Sequence, residues 1–434
     1  MKRIALISHG CAKNLVDSEL ILGLLSENGY EITLDETKSD VVIINTCSFI
    51  HDAEKESVDS ILEMINGGKK VIIAGCLAQK HGDELKKAIP EISAMVGTTD
   101  FTKLIDVLKD LENGKDYAEN ISETPEYIYP ETVERQQITM GSSSYIKIAD
   151  GCNYRCGYCI IPYLRGDYRS RKIEDIVNEA EKLVKKGVTE IILIAQDTTS
   201  YGIDLYKKPM LAELLKKLNE IENLGWIRIM YAYPTQMTNE LLDTIANCDK
   251  VVKYIDIPLQ HSHPEMLKRM NRPSQDYREM IKNIRNRIPN VAIRTAFIVG
   301  YPGETEEEFE HLYNFVKDMK FNKMGVFEYS REKGTPSYSM KPQISKKVMH
   351  ERYKKLMELQ QEISKGVNES FIGKTLPCII ENFTDDGYVV ARSQNDAPEV
   401  DGVVYIKTNN QLVPGDIEDV KIINCDEYDL IGEI

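Results

Sequence analysis

Three of the chain's nine cysteines fall within eight residues, in the stretch DGCNYRCGYCIIP, as Cys152, Cys156 and Cys159 with the spacing CxxxCxxC. Three thiolates on one short loop can hold three irons of a cubane iron–sulfur cluster, and the absence of a fourth cysteine nearby leaves one iron open to a ligand. An open iron is a reactive iron. Zinc is the main competitor, but structural zinc is nearly always four-coordinate in Cys and His, and the adjacent loop supplies no fourth Cys or His. Simple core packing fits poorly with a Gly- and Arg-containing loop that carries three thiols.

A second set is dispersed. Cys11, Cys47 and Cys76 stand in HGC, NTC and AGC, each directly after a strand-like run and before a helical pattern. Strand ends of one parallel sheet lie on the same edge, so residues about 35 apart in sequence can converge there, and neighbouring helix N-termini favour thiolates. Free cysteine is often only a small buried hydrophobe. Three equivalent topological positions out of three nevertheless favour a second three-cysteine cluster with an open iron. Cys248, Cys378 and Cys425 are scattered among strand-like runs and read as core.

The elements that must position these thiols follow from periodicity. Residues 1–116 alternate KRIALIS, SDVVIIN and KKVIIAG, all of buried-strand length, with helical patterns such as AKNLVDSELILGLLSENG. Such alternation implies a parallel sheet with helices on both faces. Residues 117–142 are polar, carry prolines and hold no period, which reads as a linker. In 143–366, six strands are expected at 144–150, 190–196, 226–232, 251–259, 291–300 and 323–330, with helices near 172–186, 209–221, 237–247, 264–287, 304–319 and 345–366. Six βα units in about 200 residues suggest a partial βα barrel, with function at the C-terminal strand ends. The fold class is α/β throughout, except that residues 367–434 show short strands with Gly, Asp-Asp-Gly and Pro turns, a small β-barrel.

With 434 residues, 42% of them hydrophobic and 28% charged, the composition is that of a soluble multidomain protein. No apolar run approaches the roughly 20 residues of a membrane span. The N-terminus MKRIALISHGC lacks the parts of a signal peptide, so a cytoplasmic location is expected, where an odd number of thiols argues against a disulfide framework. The formal charge is −15, and residues 371–434 carry four basic against thirteen acidic side chains, a net of −9. That terminal domain is suited to a basic partner and would repel a phosphate backbone.

CxxxCxxC with Tyr158 just before the last cysteine, on the loop after the first strand of a six-unit barrel, resembles the radical S-adenosylmethionine enzymes. The resemblance implies that the open iron chelates S-adenosylmethionine and reduces it to yield a 5′-deoxyadenosyl radical that abstracts hydrogen. Gln196 and Asp197 in AQDTT, Arg294 in RTAF, and Gly300 and Gly303 in GYPGET sit at expected strand ends and fit a cofactor pocket. A structural ion pair for Arg294 and an ordinary turn for the glycines are the competing readings.

Two triplets and a terminal β-barrel are similar to the methylthiotransferase branch, with an N-terminal cluster domain, a radical core and a TRAM barrel. That resemblance implies two [4Fe-4S] clusters, on Cys11/Cys47/Cys76 and Cys152/Cys156/Cys159, with the first supplying sulfur and the net reaction replacing C–H by C–SCH3. The requirement is physical, because acid–base side chains cannot remove an unactivated hydrogen, and none of the seven histidines has a Ser/His/Asp-like setting. CAKNLVDSE, AQDTTSYGIDLY, DAPEVDG and DEYDLIGE resemble the RimO type, which modifies the β-carbon of an aspartate in small-subunit ribosomal protein S-twelve. A basic protein, free or in the small subunit, complements the acidic barrel at residues such as Asp385, Asp386 and Asp401. An electron donor and a sulfur donor are implied, without a membrane and without a direct tRNA substrate. A tRNA adenosine methylthiotransferase is the alternative, and a non-catalytic cluster protein the third. Arg155, Arg165, Arg169, Arg171 and Lys172 form a basic strip near the first loop, either facing carboxylates of cofactor or substrate or simply solvated.

Overall fold

The computed structural model describes residues 2–126, 129, 134–138, 141–408 and 410–434. Two compact units emerge, one of Met1–Met140, Ala149–Arg155 and Cys159–Arg171, the other of Gly141–Ile148, Cys156–Tyr158 and Lys172–Ile434. The cysteine loop is therefore divided: Cys152 and Cys159 belong to the first unit, Cys156 to the second.

In the first unit the chain runs β1 (Arg3–Ser8), α1 (Ala12–Glu27), β2 (Glu31–Ile32), β3 (Val41–Thr46), α2 (His51–Asn66), β4 (Lys70–Gly75), α3 (Cys76–Ala88), β5 (Ala94–Val96), α4 (Leu104–Glu112) and β6 (Ala118–Asn120). All six strands are parallel, in the order β2-β1-β3-β4-β5-β6. Every residue of the inner strand β3, VVIINT, is buried, as a strand covered on both faces requires. Strands β1, β3 and β4 are the expected apolar runs; β2, β5 and β6 are two or three residues long, too short to register as such. Strand β6 lies inside the range expected to be linker, and Arg135 of that range pairs with Glu19 of α1 at 2.8 Å. Residues 127–128, 130–133 and 139–140 of the expected linker lie outside the described residues.

Next come β7 (Ser143–Lys147), β8 (Ala149–Asp150), α5 (Ile161–Arg165), β9 (Arg169–Ser170), α6 (Ile173–Lys185), β10 (Glu190–Ile194), α7 (Ile203–Tyr206), α8 (Leu211–Asn219), β11 (Trp226–Ile229), α9 (Asn239–Asn247), β12 (Tyr254–Asp256), α10 (Pro264–Arg269), α11 (Tyr277–Arg287), β13 (Ala292–Val299), α12 (Glu306–Met319) and β14 (Lys323–Glu328). Sheets β11-β10-β7 and β12-β13-β14 are joined by a parallel bridge from Ile227 to Val251, so six strands follow one another in chain order as an open barrel. The helical pattern expected over 264–287 is interrupted after α10, where Asn271 has φ +52° and Pro273 cannot donate to a helix.

Helix α13 (Lys346–Glu369) leads into β15 (Thr375–Phe383), β16 (Val389–Ser393), β17 (Val404–Ile406), β18 (Ile417–Cys425) and β19 (Leu430–Glu433), a closed barrel in the order β15-β16-β17-β19-β18. It packs on the N-terminal ends of the open-barrel strands through buried ion pairs. Glu190, the first residue of β10, binds Arg228 at 2.7 Å and Arg392 of β16. Lys323, the first residue of β14, meets Asp396 at 2.6 Å, and the Tyr254 hydroxyl donates to Asp401 at 2.7 Å. The C-terminal strand ends are thus left for chemistry. These pairs also correct part of the charge reading, since the Asp401 side chain is only 3% exposed and is occupied within the fold rather than presented to a partner. Asp385 and Asp386 are exposed. No helix among the described residues is long and apolar enough to cross a membrane.

Candidate iron–sulfur sites

The first site is built by the parallel sheet. Cys11 caps the N-terminus of α1, Cys47 follows β3, and Cys76 opens α3, so all three stand at one edge of the sheet. Asn14 braces them. Its amide donates to the carbonyls of His9 (3.1 Å) and Thr46 (2.9 Å), and its Oδ1 lies 4.0 Å from Cys76 Sγ. Asn45 donates back to the Asn14 carbonyl and to Ser18 Oγ, at 2.9 and 2.8 Å. Gly10 has φ +92°, and a Cβ there would stand 2.9 Å from Cys47 Sγ, so the loop before Cys11 closes directly onto the second thiol.

Electrostatics separate the three thiols. Burial raises the Cys76 thiol to about 12, against the opposing pull of Arg165, and burial likewise raises Cys47. For Cys11 the desolvating effect is outweighed by Lys13, Arg165 and the Asn14 and Lys13 amides, and its thiol titrates below the ordinary value. A thiol as high as that of Cys76 would ligate a metal only by giving up its proton. The donor set is soft, three-fold and lined by a cation, which fits an anionic iron–sulfur cluster. Among the described residues no three His, Cys, Asp or Glu side chains stand together as a finished metal-ligand set.

The second site is one loop. In the first unit, the Cys152 amide donates to the Gly166 carbonyl at 3.1 Å, and Arg155 donates to the Cys152 carbonyl at 2.8 Å. In the second unit, Gly157 is pinned on both sides, its amide donating to the Met270 carbonyl at 2.8 Å and its carbonyl accepting from the Ser337 amide at 2.9 Å. A Cβ at Gly157 would fall 2.3 Å from Tyr301 Oη, so only glycine fits that cradle. Arg272, 8% exposed, points Nη1 at Cys156 Sγ (4.0 Å) and Tyr158 Oη (3.4 Å), while Nη2 donates to the Pro258 carbonyl at 2.6 Å.

Other sequence candidates divide. Gln196 and Asp197 follow β10 at its C-terminal end; the Asp197 carboxylate accepts from the Thr199 and Ser200 amides and the Thr199 hydroxyl at 2.7–3.1 Å, shaping the turn. Gly300 and Gly303, with φ +75° and +78°, make the turn after β13, closely approached by Met349 and Arg269 respectively. Arg294 is not at a strand end. It is the third residue of β13, held by Asp256 at 3.0 Å and Asp401 at 3.5 Å, so the ion-pair reading describes its contacts. The basic strip is divided, with Arg155 and Lys172 exposed and Arg169 partly so. Arg165 and Arg171 are buried, the latter stacked over Tyr129 at 4.0 Å, while Arg155 pairs with Asp167 at 3.1 Å. None of the nine cysteines is in a disulfide; Cys378 is core, whereas Cys248 and Cys425 are only partly buried.

Sequence reasoning misses Asn14 and Arg272. For Asn14 a signal exists, since Asn14, Asp17 and Ser18 recur at i, i+3 and i+4 and put three polar groups on one face at the start of α1. For Arg272, 114 positions from Tyr158 in the chain and in the helix break, no local pattern exists.

Residues 146–316 match the Radical SAM superfamily, residues 3–97 the uncharacterized protein family UPF0004, and residues 372–434 the TRAM domain. The ribosomal protein uS12 methylthiotransferase RimO of Thermoanaerobacter sp. is 52% identical over 439 residues, covering 100% of both chains. That of Caldanaerobacter subterraneus subsp. tengcongensis is 51% identical with the same coverage. In fold, the chain is similar to the radical S-adenosylmethionine methyltransferase TsrM from Kitasatospora setae, solved with cobalamin and a [4Fe-4S] cluster bound, at a TM-score of 0.58, 14% identity and coverage of 77% and 74%. With identity above one half along its entire length to such relatives, the chain belongs to the RimO family of ribosomal protein uS12 methylthiotransferases within the radical SAM superfamily.

Proposed function

We infer that this protein is a radical S-adenosylmethionine methylthiotransferase that places a methylthio group on the β-carbon of an aspartate in uS12. The observation that carries the reading is the presence of two separate three-cysteine sets in a chain similar end to end to uS12 methylthiotransferases. Cys152, Cys156 and Cys159 hold one [4Fe-4S] cluster, and Cys11, Cys47 and Cys76 the auxiliary one. When bound, the clusters and S-adenosylmethionine supply the electron, sulfur, methyl group and hydrogen abstraction that side-chain acid–base chemistry cannot.

This chain's own residues orient and insulate. Arg272 presents a buried cation to the Cys156 sulfur and fixes Tyr158 beside it. The Asp197 turn and the Gly300–Gly303 turn shape the C-terminal mouth where S-adenosylmethionine binds, with Gln196 the polar side chain proposed to contact it. Closure of the opposite end by the terminal barrel keeps the substrate on that mouth. Electron and sulfur donors come from partners in the cytoplasm.

The exposed acids Asp385, Asp386, Asp416, Asp419 and Asp426 give the terminal barrel a surface that favours a basic protein over a phosphate backbone. Incubation of anaerobically reconstituted protein with S-adenosylmethionine, a reductant and either uS12 or bulk tRNA tests the reading. Methylthiolated aspartate is expected in uS12; a modified tRNA nucleoside with unmodified uS12 would overturn it.

A further inference from the structure

Arg165 is 2% exposed and ends α5, six residues after Cys159. Its Nη1 donates to Asp150 at 3.1 Å, two residues before Cys152. Its Nη2 donates to Asn14 Oδ1 at 2.6 Å and to Asp17 Oδ2 at 3.0 Å, both in the opening turns of α1 behind Cys11. Asn14 is the same residue that clamps the His9 and Thr46 carbonyls and lies 4.0 Å from Cys76 Sγ. A residue belonging by sequence to one cysteine loop therefore holds the brace of the other set.

Resting on the ligand assignment above, we propose that Arg165 is a positioning residue for the auxiliary cluster, holding Asn14 and the start of α1 in register with the Asp150–Cys152 segment. Its role is geometric. The planar guanidinium spans three acceptors at once, which an ammonium on a single point cannot do. Asn14, kept in place, fixes the Gly10–Cys11 turn, the end of β3 and the first turn of α3 together. Residues that orient metal ligands from behind commonly change metal affinity by about 10–100-fold when altered.

The test uses the full-length reconstituted protein and reads iron loss to a chelator, with each reduced cluster followed by its electron paramagnetic resonance signal. Arg165→Met combined with Asp17→Asn and Asp150→Asn removes the arginine together with the two carboxylates it pairs with, and Arg165→Lys keeps the charge without the fork. Both are expected to release auxiliary iron about tenfold faster, while the loop cluster keeps the spectral change it shows on adding S-adenosylmethionine. Wild-type release in the neutral triple variant, or full retention in Arg165→Lys, overturns the positioning role. Cys11→Ala/Cys47→Ala/Cys76→Ala serves as the reference. If it retains both signals the ligand assignment fails and the proposal with it; if it loses one while the Arg165 variants keep both, the proposal alone is wrong.

Discussion

The two cysteine sets reach the same donor composition by opposite routes. Cys152, Cys156 and Cys159 are held by a single loop whose central glycine is pinned between Met270, Ser337 and Tyr301. Cys11, Cys47 and Cys76 come from three strand ends, and side-chain amides of Asn14 and Asn45 hold them together as chain connectivity does in the loop. Each set faces one buried arginine, Arg272 or Arg165, but the first points at a sulfur and the second braces the backbone around the thiols. Sequence-local ligands need a rigid cradle; dispersed ligands need a sheet and a polar network. Damage to the two sites should therefore propagate differently.

The largest effects separate the sets outright. Cys156→Ala is expected to abolish 5′-deoxyadenosine formation and remove the loop cluster, whereas Cys47→Ala should leave cleavage measurable by chromatography and stop methylthio transfer to uS12. Equal loss of cleavage in both variants would merge the two sites into one.

A variant remote from both sets sharpens the contrast. Glu190→Gln takes the carboxylate from buried Arg228 and leaves Arg392 with Glu381 alone, and should cost about 3–5 kcal/mol in denaturant unfolding, with the two cluster signals affected alike. Burial opposes ionisation of Glu190, yet Arg392 and Arg228 hold its carboxyl down at about 2. Its folded value lies below the ordinary carboxylate value of about 4.3, so its contribution is complete above that pH and fades as the pH falls toward 2. The acid-unfolding curve of the wild type should steepen in that window, and that of the Glu190→Gln variant should be flatter there; identical curves would remove Glu190 from the acid response.

Smaller still are the glycine variants. Gly157→Ala drives a methyl into Tyr301 Oη and should cost about 1–3 kcal/mol while loosening the loop cluster alone. Gly10→Ala meets Cys47 and should loosen the auxiliary cluster alone. Iron release that does not sort by site in these two variants would break the comparison. The least effect belongs to charge reversal on the exposed turn: Asp385→Lys with Asp386→Lys should weaken uS12 binding by about 1 kcal/mol, and added salt should erase the difference. Asp401→Asn, by contrast, should lower stability without the salt-dependent change in binding.

Much of the architecture was readable because its signals are local. The CxxxCxxC spacing, the buried runs that became β3 and β10, and the Asp-Asp-Gly turn at Asp385–Gly387 all carry their meaning within a few residues. What could not be read depends on partners far away in the chain. Arg165 and Arg171 look like a solvated basic strip until Asp17 and Tyr129 are brought beside them. Arg294 and Asp401 look like a pocket residue and a surface acid until they are found together beneath the barrel. Short strands such as β6, and the division of one cysteine loop between two compact units, leave no periodic trace.

Whether the two clusters serve an aspartate of uS12 is decided by mass spectrometry of uS12 and of bulk tRNA from the same cells with and without this gene. A methylthio mass is predicted on one aspartate of uS12, disappearing on deletion while tRNA nucleosides are unchanged. Loss of a methylthiolated tRNA nucleoside with uS12 unaltered would contradict it.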